Sequence, residues 1–368
     1  MPSNMNNLLI AWAFSLIFVV GGTLLLEATY TPGGTEAEAS NLTADTDQAA
    51  MNEESPATEN DEGTDEDGSS SESAPLPAPG QAAPAQDPAQ PSASFSIPES
   101  IPVEALADLF EQSKYGPLPI IAEDGRKSSD IYAAPRQLGT TTGRIAILVT
   151  DLGKKARNTK RAVDELPANV SLAFSVYGSG LHEWGQKARR AGHEVFLAVP
   201  MEPINYEQND PGPLTLLTTQ STRVKINLLR SSLGKFSGYV GVTNFMGSRF
   251  TAASDSIRPI LDELKRRGLM FVDNRDSKYS LAASMAQGIN MPWAVNNRYI
   301  DDDLDAASIA GQLAELEKRA RAQGTALGIA RSYPVTVRAI KVWAATLEER
   351  GYKLVPVTSI AGQQALPR

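Results

Sequence analysis

Residues 143–153 read GRIAILVTDLG: five consecutive apolar residues, Ile145–Val149, followed by Thr150, Asp151 and a glycine. A short run that is apolar at every position, not at every second one, is a strand buried on both faces. The same pattern recurs at Ser171–Val176, Glu194–Val199, Tyr239–Thr243, Leu269–Val272, Pro292–Val295, Thr325–Ala330 and Lys353–Val357. Helix-periodic stretches lie between these runs, near Arg157–Leu166, Leu181–Ala191, Ser221–Leu233, Ala252–Arg267, Ser280–Gln287, Leu304–Arg321 and Val335–Glu349. Gly192, Gly268, Gly324 and Gly351 fall just past helices, where a left-handed cap is wanted. Strand and helix alternating in this way predict an α/β fold with a parallel sheet, either a barrel or an open doubly wound sheet.

The rest of the 368-residue chain is of another kind. Leu8–Leu26 is an uncharged run of roughly 28 Å as a helix, close to the hydrocarbon thickness of a bilayer. It lacks a basic leading region and a small-residue cleavage site, so residues 1–27 are expected to be an uncleaved transmembrane anchor. Residues 28–100, rich in Ala, Pro, Ser, Glu and Asp, cannot bury enough apolar surface to offset ordering and are expected to be a disordered linker. Of the 43 acidic residues, 16 lie in residues 1–100 with no Lys or Arg, which leaves residues 101–368 with a balance of +7. The amino terminus is expected inside and the acidic flank outside, which in a bacterium makes this a single-pass protein of the inner membrane with its folded part in the periplasm. Residues 101–142 are expected to be an extension packed on the domain, with a short amphipathic helix at Val103–Gln112. The domain itself takes residues 143–360, and 361–368 is a tail.

Both parallel architectures place functional residues just past the carboxyl ends of strands. Those places hold Thr150 and Asp151, then Ala198–Glu202, Asn244–Arg249, Asp273–Arg275, Asp301–Asp303 and Arg331–Tyr333. In chain order, IAILVTDLG (145–153), AGHEVFLAVPMEP (191–203), DPGPLTL (210–216), GVTNFMGSRFT (241–251), LMFVDNRDS (269–277) and IARSYPVTV (329–337) resemble the divergent polysaccharide deacetylase family. The resemblance implies a deformed (β/α) barrel of the polysaccharide-deacetylase type and, in its active members, a zinc ion that polarises an amide carbonyl.

The departures fall on the chemical positions. By that resemblance, Thr150 stands for the first of two aspartates and Asp151 keeps the second. Ala198, Phe245 and Arg331 stand where histidines are expected, and Val335 where a glutamate is expected. The residues that shape the loops, Pro200, Glu202, Pro203, Gly247, Ser248, Arg249, Tyr333 and Pro334, remain. A catalytic zinc takes three protein ligands from His, Cys, Asp or Glu. The chain has no Cys and two His: His182 opens a helix, and His193 is expected at the sheet's amino-terminal end, opposite the site.

The expectation is a degenerate enzyme without a metal, Asp151 being vestigial, which binds envelope polysaccharide, peptidoglycan or a cell-wall protein partner. The alternative is an active hydrolase that deacetylates an N-acetylated polysaccharide through zinc on rearranged ligands. Arg249, Arg275 and Arg331 would supply positive charge in the groove, and an arginine stays protonated at any working pH. Asn244 and Ser248 would supply neutral hydrogen bonds. Glu202, Asp273, Asp301 and Asp303 complete the polar set, with Trp293 as a surface for sugar stacking. No G-x-G-x-x-G or P-loop spacing occurs, so nucleotide binding has no support, and nucleic acid is not among the expected partners.

Overall fold

A computed structural model describes residues 100–135 and 141–366. The anchor expected at 8–26, and all but the last residue of the linker, lie outside the described residues. Among the described residues no helix is long and apolar enough to cross a membrane.

The large sheet is parallel throughout. It contains β3 (Gly143–Leu152), β4 (Ser171–Ser175), β5 (Val195–Met201), β6 (Gly241–Met246), β7 (Met270–Asp273), β8 (Trp293–Val295), β9 (Arg298–Tyr299), β10 (Thr325–Arg331) and β11 (Tyr352–Leu354). Their order is β8-β7-β6-β5-β4-β3-β10-β9, with β11 pairing against the start of β3. The outermost strands, β8 and β9, are separated in sequence by Asn296 and Asn297 alone. The Asn296 N–H bonds the Asp273 carbonyl at 2.8 Å, and the Asn297 N–H bonds the Leu327 carbonyl at 2.9 Å. One continuous stretch of chain therefore pairs with both ends of the sheet, which must curl to allow it.

Helices α2 (Ala156–Glu165), α3 (Leu181–Arg190), α4 (Thr222–Leu233), α5 (Ser254–Arg266), α6 (Ala282–Gly288), α7 (Ala306–Gln323) and α8 (Pro334–Ala345) connect the strands; α1 is the single turn Ser128–Ile131. Alternate residues of β3 face opposite layers. Ile145, Ile147 and Val149 join the core under the helices, whereas Ala146 and Leu148 face an inner cluster with Tyr132, Val357 and Ile360. This double burial is why the strands are apolar at every position. The four glycines expected at helix ends have φ between +67° and +89°. The sequence pattern missed β9, which is too short to show a period.

The helix expected at Val103–Gln112 does not form. Ala107–Leu109 is a 3₁₀ turn, and β1 (Phe110–Ser113) pairs antiparallel with β2 (Gly116–Pro119). A ten-residue helix gains little on its own in water. The hairpin instead gains tertiary partners: Arg267 reaches the Glu111 carboxylate at 3.1 Å and the Pro119 carbonyl at 3.0 Å, while the Tyr115 hydroxyl bonds Asn227 at 2.8 Å. Upstream, buried Arg189 donates to the carbonyls of Pro102 and Val103 and, on its other side, to Gly238 at 2.8 Å.

Glu194 joins three parts of the chain at the sheet's amino-terminal end. Its fully buried carboxylate accepts from the Ala134 N–H at 3.0 Å, the Ser171 hydroxyl at 3.0 Å, the Thr358 N–H at 3.2 Å and the Thr358 hydroxyl. Burial raises its pKa above the ordinary 4.5, against the pull of these donors. A carboxyl with a raised folded pKa takes up its proton at higher pH in the native state than in the unfolded chain, so its contribution to stability falls as pH climbs past about 4.5. Replacing Glu194 with Ala, which strands several buried donors, is expected to lower the unfolding free energy by about 3 kcal/mol in urea titrations. Glu194→Gln should remove this group's share of the loss of stability with rising pH. Arg189→Met, which releases residues 102–103, should cost about 2 kcal/mol and expose that segment to limited proteolysis while the sheet stays folded.

Candidate functional site

The carboxyl ends of the strands carry the backbone's unusual turns. Of the four described non-glycine residues with positive φ, three lie there: Asp151 (+66°) at the end of β3, Met246 (+56°) at the end of β6 and Arg275 (+54°) after β7. Such turns are uncommon for residues with a side chain and cluster where a chain must aim a group. At Asp151 the cause is local, because the register between β3 and β4 shifts between Val149 and Leu152. The displaced carboxylate then meets Lys154, which the left-handed turn at Gly153 brings back to 2.7 Å from it. The same ammonium lies 4.3 Å from the ring centroid of Phe245, on the neighbouring side of the site. An aromatic face attracts a cation, so carboxylate and ring both hold the ammonium.

Below Phe245 lies a buried polar layer. The Asn244 side-chain oxygen accepts from the Asn274 N–H at 2.9 Å, and its amide group donates to Asp276 at 3.0 Å. Thr243 bonds Asn274, Asn296 donates to the Asn274 carbonyl at 3.1 Å, and the Tyr299 hydroxyl donates to Asp276. Asp276 lies at the solvent-exposed edge of this layer, and partial desolvation of its carboxyl by the groups around it, with the charge of Asp273 adding to it, pushes its pKa up to about 6. Asp273 itself is buried and accepts from the Arg275 N–H at 2.8 Å and the Ser280 hydroxyl at 2.7 Å. Burial raises its pKa too.

The loops after β5 and β6 hold each other. Glu202 accepts from the Thr218 N–H and hydroxyl at 2.6 and 2.7 Å and from Arg249 at 3.2 Å, and its own carbonyl takes the N–H groups of Arg249 and Phe250. Ser248 accepts from the Ile204 N–H at 2.9 Å. Gly247 adopts φ +106°, and a side chain there would meet the Met201 Cβ at 2.9 Å. Glu202 and Ser248 therefore brace the loops. Arg249 does so while half-exposed, on the wall of a 490 Å³ hollow that also includes Tyr206, Gln208 and Leu217. Across the sheet, Asp301 is buried and holds Arg331 through its backbone N–H at 2.9 Å and its guanidinium, with Thr336 donating at 2.9 Å.

Not all residues singled out from the sequence belong to this face. Trp293 starts β8, opposite Phe271 in register, and is buried at the sheet's amino-terminal end, so its ring packs in the core and offers no sugar platform at the site. Asp303 is exposed in the loop before α7, 3.5 Å from the Ser308 hydroxyl, and joins no cluster. The cap of that helix is Asp305, which accepts from the N–H groups of Ala307 and Ser308 at 3.0 and 2.9 Å. His193 is buried at the far end with its ring nitrogens against the carbonyls of Val170 and Val163, and burial lowers its pKa. His182 is exposed on α3. Sequence reasoning missed Lys154, Asp276 and Tyr299. Lys154 follows the glycine that closes the first motif, and that spacing was its only signal.

The donor set does not fit a hydrolytic zinc. Among the described residues, no three His, Cys, Asp or Glu side chains come together as metal ligands. Asp151, the acid expected to remain, already has the Lys154 ammonium as its cation, and Ala198 and Phe245 offer no lone pair.

A family model for divergent polysaccharide deacetylases matches residues 147–361. An uncharacterized protein of Agrobacterium tumefaciens C58, known from a crystal structure, is 35% identical and superposes with a TM-score of 0.65 over 67% of this chain and 99% of its own. The uncharacterized protein YibQ of Escherichia coli K12 is 27% identical over 224 residues, which is 61% of this chain and 67% of YibQ. A Haemophilus influenzae protein is 22% identical over 207 residues, or 56% and 72% of the two chains. The matched stretch runs from within β3 to the turn after β11 and takes in every strand end that builds the site, and the chain belongs to the divergent polysaccharide deacetylase family.

Proposed function

We propose that this protein is a catalytically degenerate member of its family that binds polysaccharide of the bacterial envelope, peptidoglycan in particular. On this reading residues 8–26 hold it in the inner membrane, and the folded domain works in the periplasm at the end of its acidic linker. One observation carries the proposal: the Asp151 carboxylate is bound by Lys154, and that ammonium rests on the ring of Phe245. A fixed monovalent cation can attract an anion, but it cannot activate water as a divalent Lewis acid does. The braced loops and the buried polar layer preserve the shape of the groove while its chemistry has changed. A shaped groove that, among the described residues, offers no set of ligands for a divalent metal suits recognition more than metal-assisted turnover.

Co-sedimentation of the full chain, purified in detergent, with isolated peptidoglycan sacculi tests the reading, together with metal analysis and an acetate-release assay on N-acetylated glycan. Sedimentation with the sacculi is expected, without stoichiometric zinc and without acetate. Asp151→Ala should leave zinc content and acetate release unchanged. Stoichiometric zinc, with acetate release that Asp151→Ala abolishes, would instead identify an active hydrolase with rearranged ligands.

A further inference from the structure

A cleft of about 230 Å³ lies between the ends of β3 and β10, lined by Asp151, Lys154, Lys155, Asn158, Arg331, Ser332 and Tyr333. It is smaller than the roughly 300–1,000 Å³ usual for whole small-molecule sites, so it suits one substituent of a larger ligand. Its charges are nearly but not fully balanced. Lys154 is paired with Asp151 and Arg331 with Asp301, while among the described residues the Lys155 ammonium and the Arg331 Nη1 have no hydrogen-bond acceptor. Three cations against two carboxylates leave one positive charge.

The helix starts at the cleft add no further acid. Lys155 is the residue before α2 and Tyr333 the residue before α8; neither helix has a capping side chain or an acid in its first turn. By contrast, α3 and α5 carry Glu183 and Asp255 in their first turns and α7 is capped by Asp305, although α4 and α6 also start without an acid. Tyr333 adds a flat apolar face beside Arg331, whose guanidinium carbon is 5.1 Å from the ring centroid, and Ser332 and Asn158 add neutral hydrogen-bonding groups.

Resting on the glycan-binding reading and deepening it, we propose that this cleft binds the carboxylate of an acidic amino sugar, and that Lys155 and Arg331 are the residues that recognise it. A single net positive charge matches a monoanion, whereas a phosphate of nearly two charges would be left undercompensated. Tyr333 would face the sugar ring that carries the carboxylate. The charges confer selection between related sugars more than overall affinity, since their contribution is screened by salt.

N-acetylmuramic acid and N-acetylglucosamine share a ring and an acetamido group and differ by a carboxylate-bearing ether, which makes them matched probes for calorimetric titration of the full chain in detergent. N-acetylmuramic acid is expected to bind about tenfold more tightly, with an advantage that shrinks as salt rises. Lys155→Ala, at an exposed position that leaves folding intact, should erase most of that preference, as should Arg331→Gln, with Arg331→Lys restoring part of it. Equal affinity for the two sugars, or a preference untouched by Lys155→Ala, would overturn the assignment. So would binding of acetyl-D-alanyl-D-alanine as tight as that of N-acetylmuramic acid, which would make the peptide stem the ligand. If sacculi are bound but the two sugars are not distinguished, the cleft assignment fails and the glycan-binding reading stands. If sacculi are not bound, that reading fails first.

Discussion

Residues 293–299 pair with β7 at one end of the sheet and β10 at the other, and the chain crosses from one to the other at Asn296 and Asn297. Every backbone polar group in that stretch must find a partner, and it can do so only if the sheet is curled. The curl encloses an inner cluster, which residues from the amino-terminal extension and the turn at 357–360 fill with Tyr132, Val357 and Ile360. With both faces of the strands apolar, the carboxyl ends are left as the place where polar side chains can gather. The position of the site follows from this packing and owes nothing to its chemistry.

The chemistry is set by how charges at those ends are shared. Asp151 meets Lys154, Asp301 meets Arg331 and Glu202 meets Arg249, so most of the charged groups at the site are tied to one another. Asp276 is held differently, by Asn244 and Tyr299 without a cation. Buried or half-buried pairs of this kind resist change, because removing one member leaves the other desolvated and alone. The protein therefore presents a rim on which several charges are committed to one another, while Lys155 at the cleft is not.

Much of this could be read from the residues. Runs such as Ile145–Val149 identify doubly buried strands, and the polar residues just past them locate the face that carries the site. What escaped depends on contacts between distant segments or on turns that sequence pattern does not encode. Lys154 matters because Gly153 turns left-handed and folds it back on Asp151. Asp276 matters because Tyr299, on a strand of two residues, reaches it. Glu202 and Ser248 lie just past β5 and β6, but their polar atoms are engaged by Thr218, Arg249 and Ile204. Trp293 is second in the run Pro292–Val295 and begins its strand, so its distance from the carboxyl-end site was legible in the order of the residues.

The grip of Arg189 on residues 102 and 103 gives the domain a back and a front. It fixes the incoming chain beside Gly238, ahead of β6, where the strands begin. The cationic cleft opens at the opposite pole, where the strands finish. A load applied at residues 102 and 103 is therefore borne at the end of the sheet remote from the cleft.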